Sequence, residues 1–147
     1  MGRTRVPAGR AVDLIVVDNA SDDDTREVVQ TAAAGPLHAR YFYCAQPGLS
    51  HARRAGLNET RGDLILFTDD DVLVGEDWLE QMLAAFDAGA DAVVGRIVLA
   101  EELERPWLNQ RHRWWLAAPD CEPDEPPVLI GANMGFRRAV LARVPSF

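Results

Sequence analysis

The stretch Leu64-Ile65-Leu66-Phe67-Thr68-Asp69-Asp70-Asp71-Val72 decides the fold of this chain. Its apolar half is too short for a helix and is bounded by Gly62 and Gly75, so it predicts a buried strand. The carboxylates that follow cannot belong to the core, because an ionised carboxylate without a partner is costly to bury. The strand therefore ends at the surface, and in open α/β sheets that edge is where ligands bind.

The three consecutive carboxylates allow two interpretations. Residues i and i+2 of an extended segment face the same way, so Asp69 and Asp71 point together and Asp70 points away. Two carboxylates on one side repel each other unless protons or a cation intervene, and a hard divalent cation with oxygen ligands meets that need. The alternative is a loop whose carboxylates are solvated or cap the next helix. The triplet alone does not decide between them.

The composition excludes several classes of protein. The chain has 147 residues, of which 48% are hydrophobic, and this suits one folded domain. A formal net charge of −8 disfavours a nucleic-acid or membrane-surface binder, since these need a basic surface. Cys44 and Cys121 form neither a disulfide framework nor a zinc-ligand spacing. No intrinsic membrane segment and no signal peptide is visible, so the sequence predicts a cytoplasmic protein.

Strands and helices alternate along the rest of the chain. The predicted strands cover 12–17, 39–43, 64–68 and 92–99, with a further apolar segment at 128–136. The predicted helices contain 28–33, 50–59, 77–87 and 137–143. This order indicates an α/β fold with a mainly parallel sheet flanked by helices. Residues 1–11 are predicted to be a tail, and 12–147 a single domain.

A second strand also ends in polar residues. The run 12–17 leads into Asp18, Asn19 and Ser21, and Ser21 or a neighbouring Asp can cap the helix that follows. In a parallel sheet this strand end and the one at 68 can lie on the same edge, which capping alone does not explain.

The tryptophan-rich segment 106–118 is interpreted either as a packing segment or as a wall for a flat apolar or sugar surface.

Four segments resemble family 2 glycosyltransferases. Residues 16–25 (VVDNASDDDT) resemble the family's nucleotide-binding segment, and 48–57 (GLSHARRAGL) resemble its GxxxARNxG helix. Residues 63–71 (DLILFTDDD) resemble the segment that carries its Asp-x-Asp (DXD) motif, and 131–138 (GANMGFRR) resemble a later GxNxxFRR segment. The segments occur in the family's order, and together they are more specific than any one alone.

This resemblance implies a GT-A fold, a nucleotide-sugar donor and a divalent cation, Mn²⁺ or Mg²⁺. The implied metal ligand is Asp71, which would hold the ion that bridges the donor diphosphate. The implied donor-binding residues are Asp18 and Asn19 at the nucleobase and ribose, Ser21 beside them, Arg53 near the nucleotide, Asp69 at the ribose or sugar, and Asp70 next to it.

The resemblance also implies an acceptor side, which Gly131, Ala132 and Asn133 would line. The expected acceptor is a saccharide, lipid-linked or other hydroxyl, in cell-envelope polysaccharide biosynthesis. The expected reaction is metal-dependent sugar transfer with inversion. A non-catalytic nucleotide- or metal-binding α/β domain, or a structural fragment that needs a partner, is the alternative.

Two departures from the family pattern affect these expectations. The family's first strand belongs well upstream of Asp13, and its acidic catalytic base belongs beyond Phe147. We therefore expect a partial domain from a longer glycosyltransferase, with little or no activity of its own and no assigned base. It could attach peripherally to the inner membrane through a partner or a missing segment. The acids that qualify as bases by charge alone are Asp120, Glu122, Asp124 and Glu125.

Overall fold

The computed structural model describes residues 4–33, 37–118 and 129–144. The strands are β1 (Ile15–Asp18), β2 (Arg40–Tyr43), β3 (Leu64–Thr68), β4 (Ala92–Val94) and β5 (Asn133–Arg137). The α-helices are α1 (Thr25–Ala32), α2 (Leu49–Glu59), α3 (Trp78–Asp87) and α4 (Gln110–Trp115), and 3-10 turns cover Glu101–Leu103 and Arg138–Ala142. The predicted α/β class is confirmed.

The first sheet consists of β1 and β2, which pair in parallel from Ile15 opposite Arg40 to Asp18 opposite Tyr43. Helix α1 packs on both strands and α2 packs on β1. The approach of α2 is close at Gly56, where an added Cβ would lie 3.0 Å from a methyl group of Val17. The absence of a side chain at Gly56 therefore allows α2 to lie close against the sheet.

The second sheet is antiparallel, with β5 between β3 and β4. Leu64 pairs with Arg137 and Thr68 with Asn133, so β5 runs back along the whole of β3. The prediction of a mainly parallel sheet is therefore wrong for the described strands, and the ends of β1 and β3 belong to different sheets. An apolar run shows that a strand is buried but not which way its neighbour runs, so the pattern could not reveal this pairing.

The core of the second sheet forms between β5 and α3. Phe86 of α3 is 1% exposed, and Ile65 and Phe136 are each 3% exposed. The predicted helix at 77–87 is present as α3, and its Leu79, Met82 and Phe86 are all buried. Gly135 lies where no side chain fits, because an added Cβ would contact Leu66 and would lie 3.2 Å from both Phe86 Cζ and the Ile65 carbonyl oxygen.

Two arginines at the end of β5 satisfy the carboxyl ends of two helices. Arg137 donates to the carbonyl oxygens of Phe86 and Ala90, at the end of α3. Arg138 donates to the Gly62 carbonyl oxygen at 2.8 Å and to Thr60 Oγ1 at 2.7 Å, just beyond α2. Cations at these positions also complement the negative end of each helix dipole. The pair therefore joins β5 to both helices.

The amino-terminal segment contacts α3 and the turn before it. The Arg5 backbone N–H donates to the Glu76 carbonyl oxygen at 2.8 Å, and its guanidinium lies 3.3 Å from the Glu76 carboxylate. Arg10 donates to both oxygens of Asp87 at 2.8 and 2.9 Å. Such exposed ion pairs contribute little each. The predicted boundary between tail and domain at residue 12 stays a prediction.

Three local expectations differ from the structure or fall outside it. β4 ends at Val94 instead of Leu99. The next residue, Gly95, still donates its N–H to the Asn133 carbonyl oxygen at 2.8 Å, and an added Cβ there would collide with the Asn133 side chain. The packing interpretation of segment 106–118 is wrong for its tryptophans, since Trp107 and Trp115 are 65% and 74% exposed. The acids at 120–125 lie outside the described residues. None of the helices in the described ranges combines the length and apolar character needed to cross a bilayer.

We expect Gly135→Ala to destabilise the fold by about 1–3 kcal/mol, the usual range for overpacking a filled core. The added methyl group would meet Leu66, Phe86 and the backbone of β3 at once. Urea unfolding monitored by circular dichroism measures the loss. Gly75→Ala is the control, since its added Cβ would lie 3.1 Å from a side-chain oxygen of Asp77, which can move. Equal stability of the two variants would contradict this account of the core.

Candidate functional site

The polar end of β1 is built around the carboxylate of Asp18, which is 6% exposed. Its Oδ1 accepts from the Ser21 backbone N–H at 2.8 Å. Its Oδ2 accepts from the hydroxyl of Tyr41, on the neighbouring strand, at 2.5 Å. The guanidinium of Arg26 lies over the Tyr41 ring, 4.9 Å from its centre. Asp18 is therefore a buried carboxylate that accepts a hydrogen bond on both of its oxygens.

These donors change the titration of both partners. The Tyr41 hydroxyl, and after it the Ser21 N–H, lower the pKa of Asp18 because they bond the ionised form. The same contact raises the pKa of Tyr41, since its proton is held by the carboxylate. At neutral pH the pair is therefore an Asp18 anion and a neutral phenol, and the anion can accept hydrogen bonds but cannot donate one.

Asn19 connects the end of β1 to the start of α2. Its amide nitrogen donates to the carbonyl oxygens of Cys44 at 3.2 Å and Gln46 at 2.7 Å. Its amide oxygen accepts from the Gly48 N–H at 2.7 Å. Gly48 has a φ of 126°, a conformation that favours glycine, and it precedes the first residue of α2. The amide of Asn19 thus holds the loop that positions this helix.

Arg53 of α2 brings the helix to the acidic end of β3. Its guanidinium lies 3.8 Å from the Asp69 carboxylate, and its side chain is 22% exposed. It lies directly on Gly131, where an added Cβ would overlap the guanidinium. The structure therefore brings together three residues that the sequence places far apart, a cation from α2, an anion after β3 and a glycine before β5.

Asp70 and Asp71 are exposed at the same loop. Within 4–33, 37–118 and 129–144, no three His, Cys, Asp or Glu side chains are grouped so that they could hold a metal ion by themselves. Mg²⁺ is usually bound by one or two carboxylates together with substrate phosphates and water, so a complete cage of protein ligands is not required. The oxygen donors of Asp69 to Asp71 have the hard chemistry that such a cation prefers. The residues present therefore fit a shared metal.

Two of the residues predicted for the acceptor side are buried, unlike the exposed Asp70 and Asp71. Ala132 and Asn133 are 6% and 9% exposed. The Asn133 amide oxygen accepts from the Trp78 indole N–H at 2.9 Å, and its amide nitrogen donates to the Arg96 carbonyl oxygen at 3.3 Å. This asparagine joins β5 to α3 and to the chain after β4. The acceptor role of Gly131, Ala132 and Asn133 stays a prediction, as do the donor and metal roles of the other site residues.

The family model described as glycosyl transferase family 2 matches residues 8–144. The chain belongs to glycosyl transferase family 2. This confirms the resemblance carried by the four segments, and the match extends through the residues between them.

Curated relatives are longer proteins. A succinoglycan biosynthesis protein, ExoM of Rhizobium meliloti, is 34% identical over 94 residues, which are 63% of this chain and 30% of the relative. A glucosyl-dolichyl phosphate glucuronosyltransferase of Haloferax volcanii is 28% identical over 107 residues, which are 68% of this chain and 34% of the relative. The chain thus spans about a third of the length of these relatives.

Solved structures share the fold. The mannosyltransferase PcManGT from Pyrobaculum calidifontis, solved in complex with GDP-Man and Mn²⁺, superposes with a TM-score of 0.64 at 22% identity. The alignment covers 92% of this chain and 38% of that one. A mycobacterial protein superposes with a TM-score of 0.58 at 23% identity, covering 90% of this chain and 45% of that one. The GT-A fold predicted from the sequence is confirmed.

Two contributors to the site were not identified from the sequence. Tyr41 lies in the predicted strand 39–43 and Trp78 in the predicted helix 77–87, and each donates to a polar residue of the site region. The predicted strands at 12–17 and 39–43 were adjacent in the chain, and adjacency could have suggested a partner for Asp18. The register that brings Tyr41 within reach came only from the structure.

We expect the contact between Asp18 and Tyr41 to stabilise the fold less in acid. The folded-state pKa of Asp18 is lowered, so its contribution is complete above the unfolded pKa of about 3.9 and is lost as the pH falls through the folded pKa. Tyr41→Phe should therefore be less stable than wild type near pH 6, and the difference should shrink toward about pH 3. Urea unfolding across this range, with Tyr43→Phe as control, measures it. A difference that stays constant would contradict this origin.

Proposed function

We propose that this chain contains the donor-binding half of a glycosyltransferase site and binds the nucleoside diphosphate of a nucleotide sugar. The observation that carries the proposal is Arg53, a mostly buried guanidinium beside Asp69 at the end of β3. At 3.8 Å this ion pair is longer than a hydrogen bond, so the fork of N–H donors remains available to an anion. Guanidinium groups suit phosphate oxygens because two parallel N–H bonds can form.

The metal role in this proposal belongs to Asp71, with Asp69 and Asp70 in the same loop. Mn²⁺ or Mg²⁺, when bound there with the donor, would neutralise charge on the diphosphate as the sugar leaves. Support comes from family membership and from a fold relative whose solved structure holds GDP-Man and Mn²⁺. The described acids do not form a complete metal cage, so we expect metal and nucleotide to bind together.

The residues at the end of β1 serve the nucleoside in this proposal. Asp18 offers a fixed anion to a hydroxyl or N–H group of the ribose or base, and Ser21 supplies the backbone donor that orients it. Asn19 acts through its hold on the start of α2, the helix that carries Arg53. The donor site is thus divided between a nucleoside end at β1 and a diphosphate end at β3.

The reaction proposed for the full protein is transfer with inversion. An acceptor hydroxyl oxygen bonds to the anomeric carbon, the bond from that carbon to the diphosphate oxygen breaks, and a carboxylate base takes the hydroxyl proton. The electron pair leaves on the nucleoside diphosphate, where Arg53 opposes the negative charge that develops.

The proposed acceptor is a saccharide or lipid-linked hydroxyl in cell-envelope polysaccharide biosynthesis. Named relatives include a succinoglycan biosynthesis protein, a glucosyl-dolichyl phosphate glucuronosyltransferase and an undecaprenyl-phosphate 4-deoxy-4-formamido-L-arabinose transferase. Gly131 lies beside Arg53, so an acceptor that approached it would come close to the diphosphate end of the donor. We propose a cytoplasmic location, with peripheral attachment to the inner membrane if the acceptor is lipid-linked.

Isothermal titration with GDP and with UDP, with and without Mn²⁺, tests the proposal. We expect one of the nucleotides to bind in a metal-dependent manner. Asp71→Asn should lower that affinity at least about tenfold, since even changes to residues that support a metal ligand reduce metal affinity by that much. Asp63→Asn is the matched control, because it removes the same charge just before β3, at the strand's opposite end. Failure of the folded wild-type chain to bind either nucleotide would overturn the proposal.

A second variant tests the diphosphate end. In Gly131→Ala the new methyl group displaces the guanidinium of Arg53, so we expect nucleotide affinity to fall about tenfold, the loss of one hydrogen bond to a charged group. Competition titration against the wild type measures the change. Gly75→Ala should bind as wild type does. Unchanged affinity in Gly131→Ala would show that the position of Arg53 against Gly131 does not matter for binding.

A further inference from the structure

We propose that Tyr41 is a positioning residue of the donor site, which acts through Asp18 on the nucleoside and leaves the diphosphate end unaffected. The inference rests on the proposed function, because it requires that Asp18 meets the nucleoside. It adds a residue that none of the family segments in this sequence contains, since Tyr41 lies on β2 between the first and second of them.

The geometry fixes the carboxylate of Asp18 from two sides. Tyr41 donates to Oδ2 at 2.5 Å and the Ser21 backbone N–H donates to Oδ1 at 2.8 Å. Donors on both oxygens set the plane of the carboxylate as well as its position. A carboxylate has about four lone-pair sites, so these donors do not use all of its accepting capacity. A ligand hydroxyl or N–H therefore meets an acceptor that is already oriented, and binding does not have to order it.

Tyr41 is itself held in place. It pairs within β2, whose register places it opposite Val16 of β1, two residues before Asp18. Arg26 of α1 covers its ring at 4.9 Å, so the phenol is fixed by both a strand and a helix. The charged groups around this phenol are Asp18 and Arg26, and Asp23 lies close enough to interact electrostatically with Asp18. The phenol is the group that separates the Asp18 anion from the Arg26 cation.

This arrangement makes a prediction about which part of the donor is affected. Asp18 lies at the end of β1, whereas Arg53 and the acidic loop lie at the end of β3, in the other sheet. Loss of the Tyr41 hydroxyl frees one oxygen of Asp18 but changes no contact of Arg53 or Asp71. Affinity for a nucleoside diphosphate should therefore fall, and affinity for inorganic pyrophosphate with Mn²⁺ should not.

The experiment compares Tyr41→Phe with the wild-type chain by titration with two probes, pyrophosphate with Mn²⁺ and the nucleoside diphosphate that the wild type binds. We expect nucleotide affinity to fall by up to about tenfold, because the Asp18 carboxylate must then be ordered on binding, and we expect no change for pyrophosphate. Tyr43→Phe is the matched control. It makes the same change on the same strand, at a tyrosine that is 48% exposed.

A double-mutant cycle with Asp18→Asn separates positioning from general damage to the fold. If Tyr41 acts through Asp18, adding Tyr41→Phe to Asp18→Asn should cost much less nucleotide affinity than it costs in the wild type. Equal losses in both backgrounds, or a parallel loss of pyrophosphate affinity, would overturn the inference. If the wild type binds pyrophosphate with Mn²⁺ as tightly as it binds the nucleoside diphosphate, the inference fails but the proposed diphosphate site remains supported. Binding of neither probe overturns the proposed function itself.

Discussion

The antiparallel insertion of β5 between β3 and β4 is the constraint on which the site depends. The pairing of Asn133 with Thr68 fixes the position along β3 at which β5 begins. This register places Gly131, two residues before β5, against Arg53. At its other end Arg137 and Arg138 bond the carboxyl ends of α3 and α2. The strand buries four consecutive residues, 133–136, so it cannot shift by one residue without exposing core and moving both arginines.

The site combines few charges with much support from uncharged groups. A phenol and a backbone N–H hold Asp18, and the Asn19 amide holds the start of α2. The guanidinium of Arg53 occupies the space that a side chain at Gly131 would fill. Support of this kind lowers the ordering cost that a ligand would otherwise meet.

The sequence predicted the elements better than their pairing. The α/β class, the helix at 77–87 and the family followed from periodicity and motifs, because these are local properties of the chain. The direction of β5, the end of β4 at Val94 and the bond from Tyr41 to Asp18 did not follow. Each depends on which distant segments meet. Gly95, just beyond β4, lies against the Asn133 side chain, and neither residue indicates the other in the sequence.

The placement of the tryptophans has an optical consequence. Trp107 and Trp115 are 65% and 74% exposed, so their emission in the folded chain is expected to be close to that of indole in water, and Trp114 is 43% exposed. Trp78 differs, since its indole N–H donates to the buried amide of Asn133. When β5 leaves the sheet, Trp78 loses that partner while the surroundings of the other three change little. The intrinsic fluorescence of this protein therefore reports the docking of a single strand against α3.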